Sequence, residues 1–246
     1  MYTKTMTTPN TPDQTRSEPH ASSNTNMLNK LRASVLGAND GIVSVAGIVA
    51  GVAGATSNLT TILTAGIAGL VAGAISMAAG EYVSVSSQRD SERALLKKEA
   101  AELRDYPEQE LKELTKLYER KGLTRPTAET VARELSDHDA YAAHVDAELN
   151  IDPDDLNNPW HAAIASALSF LVGAVNPLLA VWLAPEPIRL YVIFVSVVIA
   201  LIITGVLSAL VGKSSKRVAT LRVVLGGILA MVVTYGIGRL FGHGSF

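Results

Sequence analysis

The chain has 246 residues, 48% of them hydrophobic, with a mean hydropathy of +0.25 and a formal net charge of −2. It has no cysteine, which excludes disulfides, thiolate metal sites and cysteine nucleophiles. Most charges lie before residue 33, between 88 and 158, or between 213 and 222, and the long uncharged stretches between them exclude an ordinary soluble domain.

Residues 1–27 are rich in Thr, Ser, Asn and Pro and predict a disordered tail, bounded at about residue 29. The tail has no apolar core of the signal-peptide kind. The first apolar span is expected over about 33–57, interrupted by Asn39 and Asp40. The second is expected over about 61–85 and ends in "ISMAAGEYVSVSS", which places an acid, Glu81, one helical turn after Met77. Together these form a membrane unit over 30–87.

Residues 88–158 break the apolar pattern, with 18 Asp+Glu against 11 Lys+Arg. Such a segment is a poor partner for nucleic acid and a better one for cations. "DSERALLKKEAAELRDY" places Leu96, Ala100 and Leu103 at helical spacing, and Pro107 ends or restarts the helix. "PEQELKELTKLYERKGL" repeats the pattern, with Gly122 as its C-cap. "TAETVARELSDHDAYAAHVDAELNI" supplies one or two more helices.

Three further spans complete a second membrane unit over 159–246. The third, about 160–184, has Trp160 and Trp182 placed like interfacial anchors and carries Asn176-Pro177. The fourth, about 189–211, is strongly apolar, and the fifth covers about 219–241. Each approaches the ~20 residues that cross a bilayer core. The expected fold is an all-α membrane protein with five transmembrane helices and a cytosolic helical insert between the second and third. Lys30, Arg32, the 11 basic residues of the insert and the "GKSSKR" loop lie on one side, whereas Gly54–Thr60 has no Lys or Arg and "APEPIR" has one. Positive residues favour the cytosol, so the N-terminus and 88–158 are expected inside and the C-terminus outside. The compact chain without an organelle signal suggests a bacterial plasma membrane.

Small residues recur as GxxxG at Gly47/Gly51 and Gly69/Gly73, a spacing that lets helices approach closely. Generic tight packing is favoured over a dedicated dimer seam. Intramembrane acids are costly and usually face a cavity, which singles out Asp40 and Glu81. Ser44 and Gly47 share the face of Asp40. Carboxylates with the thioether of Met77 suit a divalent transition metal better than an organic substrate. In the insert, Glu99 and Glu102 are spaced i,i+3, as are Glu110 and Glu113 after the Pro107 break. His144 and Glu148, spaced i,i+4, can complete a cluster. Spacing alone is a weak signal, because Glu/Lys-rich helices produce it by chance. Enzyme signatures are missing: "GAISMAAG" is not GxSxG, "HDAYAAH" is not HExxH, and there is no glycine-rich phosphate loop. No enzyme activity and no prosthetic group are expected.

"GANDGIVSVAGIVAGVAGA", "AGLVAGAISMAAGEYVSVSSQRDSE" and the acidic insert before a third span resemble the vacuolar iron transporter family over about residues 30–242. The resemblance implies a homodimer that moves Fe²⁺, and often Mn²⁺, out of the cytosol in exchange for protons. It implies a pathway between the subunits, lined by the first two spans, in which the family's aspartate, methionine and acid fall on Asp40, Met77 and Glu81. Some relatives have a glutamate two turns before the methionine, where this chain has Gly69. The family's metal-collecting glutamates fall, by position relative to Pro107, on Glu99, Glu102, Glu110 and Glu113, and that of the last helix on Glu148. Relatives can carry methionines just before it, where this chain has His144 and Val145; histidine can still ligate a transition metal. The implied partners are membrane lipid, divalent metal ions, protons and a second copy of the chain. The rival readings are a membrane-anchored metal sensor or buffer and, more weakly, an iron-oxidising membrane enzyme.

Overall fold

The computed structural model describes residues 21–154 and 156–242, with side chains from Ser34 onward. The first helix, α1, runs over Ala21–Ala55, with its apolar membrane portion at Ser34–Ala55. The expected tail therefore lies outside the described residues up to position 20, while 21–29 are helical. Pro19 is the last proline before this stretch, and nothing after it forbids extending the apolar helix backwards.

The second helix departs from a span followed by a separate insert. It is one unbroken α2 over Leu59–Asp105, 47 residues, or about 70 Å at ~1.5 Å per residue. The Asn58 side chain caps it by accepting from the Thr61 amide at 3.0 Å. Between Gly80 and Pro107 there is neither glycine nor proline, so no residue stops the helix where the membrane portion ends. It stops at Tyr106 (φ −138°, ψ 48°), whose helical conformation is disfavoured by the proline that follows.

Pro107 then opens α3 (Pro107–Arg120), which ends at Gly122 with φ +102°, a left-handed position suited to glycine. The next helix, α4 (Arg125–His144), is broken at Asp139 (φ −159°, ψ 96°), whose carboxylate accepts from the Ala142 amide at 2.9 Å and recaps the chain. A π-helical turn over Val145–Leu149 follows and ends on Asn150 in the left-handed region, φ 50°. Leu96, Leu114, Ala128, Ala132 and Val145 are buried within this helical insert.

Three more membrane helices follow: α5 (Pro159–Leu183), α6 (Arg189–Val211) and α7 (Lys216–Gly242). Five helices are thus long and apolar enough to cross a membrane, and no strand occurs among the described residues. The central helix is α1, packed against α2, α5, α6 and α7. Its Ile42, Val45, Ala46, Val49 and Ala50 form the core with Phe170, Val197, Leu201 and Met231.

Close helix approach depends on missing side chains. A Cβ on Gly173 would run into the carbonyl oxygen of Ala38, and one on Gly238 into that of Gly51. Gly47 and Gly51 seat Thr234 of α7, Gly69 seats Ile48, and Gly73 seats Phe170. Both GxxxG pairs therefore serve packing within the chain. Gly173→Ala is expected to force α1 and α5 apart and to cost about 1–3 kcal/mol, read as a lowered melting temperature. Gly80→Ala, where a Cβ meets nothing within 4 Å, should be neutral or slightly stabilising.

At the far end from the insert, the buried Arg189 ties two helix ends together. Its Nη1 donates to the Ser57 carbonyl at 2.9 Å and its Nε to the Ala184 carbonyl at 3.3 Å. These carbonyls follow the last turns of α1 and α5, where orphan acceptors and the negative dipole end favour a cation.

Candidate metal site

Depth along the membrane can be read from α5. Trp160 and Trp182, both largely exposed, stand 22 residues apart, about 33 Å, close to the ~30 Å of a hydrocarbon core. The ring of Tyr82 lies 4.8 Å from that of Trp160, so Glu81 sits at the boundary on the insert side. A Cβ on Gly37 would meet Ser169, and one on Gly41 would meet Phe170 and Ala174. Those contacts place the intervening Asp40 about 15–20 Å inward from Trp160, near mid-depth. Gly73 packs on Phe170, which puts Met77 roughly one turn closer to the insert, between the levels of Glu81 and Asp40. The three residues are therefore staggered in depth: Glu81 at the boundary, Met77 within, Asp40 at the middle.

Asp40 is half-buried and accepts a hydrogen bond from Ser44 Oγ at 2.8 Å. The neighbouring Asn39 accepts from Thr204 of α6 at 3.4 Å. Met77 packs against the hydrophobic core. Asn176 contributes a buried amide oxygen without a hydrogen bond, a feature that its sequence context, noted only for the following proline, did not reveal.

The insert holds the second constellation. Glu99, His144 and Glu148 each offer a ligand atom, and the three atoms lie within 4.8 Å of one another. His144 Nδ1 lies 3.0 Å from Glu99 Oε1 and 3.8 Å from Glu110 Oε2. Glu99 and His144 are 3% and 0% exposed, and Glu110 is also buried. Yet Glu99 Oε1 and both ring nitrogens of His144 make no hydrogen bond. Buried polar atoms are nearly always satisfied, so a carboxylate and an imidazole that meet at 3.0 Å without hydrogen-bond geometry form a pair that a shared cation would satisfy. Carboxylate oxygens with an imidazole form a donor set suited to a divalent first-row metal.

Each ligand comes from a different local cause. The uninterrupted α2 carries Glu99 to the packed face of the insert. The Pro107 turn folds α3 back and brings Glu110 alongside. The π-helical turn changes the helix phase directly after His144, a deformation common at functional sites. Of the remaining predicted residues, Glu102 pairs with Lys98 at 2.9 Å on the surface, and Glu113 is exposed. Both remain close enough for their charge to act on Glu110 and Glu148.

Burial, followed by the charges of Glu148 and Glu110, pushes the Glu99 carboxyl up to about 7. Burial likewise raises Glu110 and Glu148 and lowers His144. His144 is therefore neutral near pH 7 and able to ligate, whereas Glu99 must lose a proton first. Metal affinity of the protein should fall about tenfold per pH unit below 7, for one displaced proton, and level off above it. Competition with a metal-sensitive dye between pH 5.5 and 8 measures this slope, and Glu99→Gln should flatten it.

A family profile described as the VIT family matches residues 31–239. The chain is 42% identical over 214 residues to a vacuolar iron transporter of Acanthamoeba castellanii, covering 85% of this chain and 78% of that protein. It is 35% identical over 216 residues to vacuolar iron transporter homolog 2.1 of Arabidopsis thaliana, covering 87% and 83%. It is 37% identical over 216 residues to homolog 4 of the same plant, covering 87% and 85%.

Proposed function

The chain belongs to the VIT family, and from that premise we propose that it is a transporter of divalent transition metal, moving Fe²⁺ out of the cytosol in exchange for protons, with Mn²⁺ as a second cargo. The observation that carries this reading is the convergence of buried Glu99 and His144 with exposed Glu148, in which Glu99 stands on the same helix as Met77 and Glu81. Glu81 and Glu99 are 18 residues apart on α2, about 27 Å.

In this reading the insert is cytosolic and captures the ion on Glu99, His144, Glu110 and Glu148, with Glu102 and Glu113 adding negative potential. Glu81 receives the ion at the membrane boundary. Met77 supplies a soft, polarisable contact. Asp40 holds the ion at mid-depth, where a carboxylate can exchange it for a proton. Two copies enclose the pathway between their first two spans, and the C-terminus lies on the side opposite the insert. The membrane is a bacterial plasma membrane in this assignment; the named relatives are vacuolar, and in both cases the insert would face the cytosol.

Fe²⁺ flux into proteoliposomes carrying a pH-sensitive dye tests the proposal, with and without an imposed proton gradient. Metal entry with opposite proton movement supports it. Metal binding without flux overturns it in favour of a membrane-anchored metal buffer, and oxygen consumption on adding Fe²⁺ would favour an oxidase.

A further inference from the structure

The α6/α7 hairpin carries a feature that metal transport does not use. Between the two helices, at the membrane end nearest the insert, lies an open groove of about 530 Å³, within the ~300–1,000 Å³ range of small-molecule sites. Its walls are apolar apart from Thr220: Ile202 and Val206 come from α6, Thr220, Leu221 and Val224 from α7. Its rim is cationic, formed by Lys216 and Arg217 at the start of α7. From Lys216 to Val224 the groove runs about 12 Å along the helix, from the boundary into the apolar layer. A charged end joined to an apolar slot of this depth has the form of a membrane lipid.

The rim charge has no acidic partner among the described residues. Lys213, Lys216, Arg217 and Arg222 form no ion pair among the described residues, and the sequence has no Asp or Glu after Glu186. The rim also coincides with the positive dipole end of the 27-residue α7, which adds unpaired backbone amides to the two side chains. A zwitterionic headgroup would leave this charge unmatched, whereas an anionic one neutralises it.

We propose that the α6/α7 groove binds an anionic glycerophospholipid from the leaflet on the insert side, its phosphate on Lys216 and Arg217 and one acyl chain between Val206 and Leu221. The lipid completes the packing of the hairpin, whose α7 is the least enclosed of the five spans. This assignment stands independently of transport.

Native mass spectrometry of the full chain from mixed phosphatidylglycerol and phosphatidylcholine micelles provides the test. Wild type should retain phosphatidylglycerol in preference. The double variant Lys216→Gln/Arg217→Gln, both exposed positions, should lose that preference by on the order of tenfold. Val206→Trp, which fills the slot and leaves the rim intact, should also lower retention. Equal retention of both lipids by wild type, or unchanged retention in both variants, overturns the proposal. Leu221→Cys, the only thiol in such a chain, gives a further check: efficient cross-linking to a second copy would show the groove covered by protein, which also overturns it.

Discussion

Asp40→Asn is expected to stop metal flux almost completely while leaving the protein folded. The substitution keeps the shape of the side chain and a carbonyl oxygen to accept from Ser44, but removes the charge. Asp40 is the one acid of the proposed pathway near mid-depth. A divalent ion there has no other carboxylate at that level on this chain's α1, and an amide can neither balance its charge nor carry a proton. The loss should reach a hundredfold or more, about 2.7 kcal/mol on the rate-limiting barrier. Glu81→Gln should be milder, because water and headgroups at the boundary screen part of its charge. Stopped-flow flux in proteoliposomes reads the effect, and a melting curve shows whether the fold survives. Wild-type flux from a well-folded Asp40→Asn variant would remove the residue from the pathway.

The second large effect concerns the insert and runs in opposite directions for binding and stability. Glu99→Leu and His144→Leu should each weaken Fe²⁺ or Mn²⁺ binding by about a hundredfold, measured by calorimetric titration of the full chain. Glu102→Gln should change it little, because that carboxylate is paired with Lys98 at the surface. In the absence of metal, the two Leu substitutions made together should leave the protein as stable or raise its stability by about 1–3 kcal/mol. They replace a buried carboxylate–imidazole contact, 3.0 Å apart and without hydrogen-bond geometry, by apolar side chains. A structural role for the Glu99–His144 contact predicts the reverse, with the double variant destabilised and binding unaltered.

Much of the architecture is legible in the sequence. The five apolar spans, the helix restart at Pro107 and the stop at Gly122 all follow from local rules of burial, proline sterics and left-handed backbone. The use of both GxxxG pairs inside the chain agrees with the generic-packing reading. The continuity of α2 was missed because a change of composition at residue 88 looks like a boundary. A helix, however, ends only where a residue or a cap ends it, and none does before Tyr106. The pairing of His144 with Glu99 was legible only as two candidates far apart in the chain. Their meeting depends on a turn at Pro107, a break at Asp139 and a π-helical turn, and helical periodicity encodes none of these. The distinction between Glu99, buried, and Glu102, on the surface one turn later, likewise depends on which face of α2 the other helices cover.

The unbroken α2 has one more implication, which concerns rotation. Because no glycine or proline lies between Gly80 and Tyr106, the helix has no such hinge residue between its lower half and the half inside the bilayer. The ligand atom of Glu99 and the side chains of Met77 and Glu81 thus keep a fixed angular relation, set by the number of residues between them. If the insert captures an ion as proposed, any tightening of α3 and the π-helical turn around it would pull on the helix that also carries Met77 and Glu81. The insert would then be geared to the membrane domain.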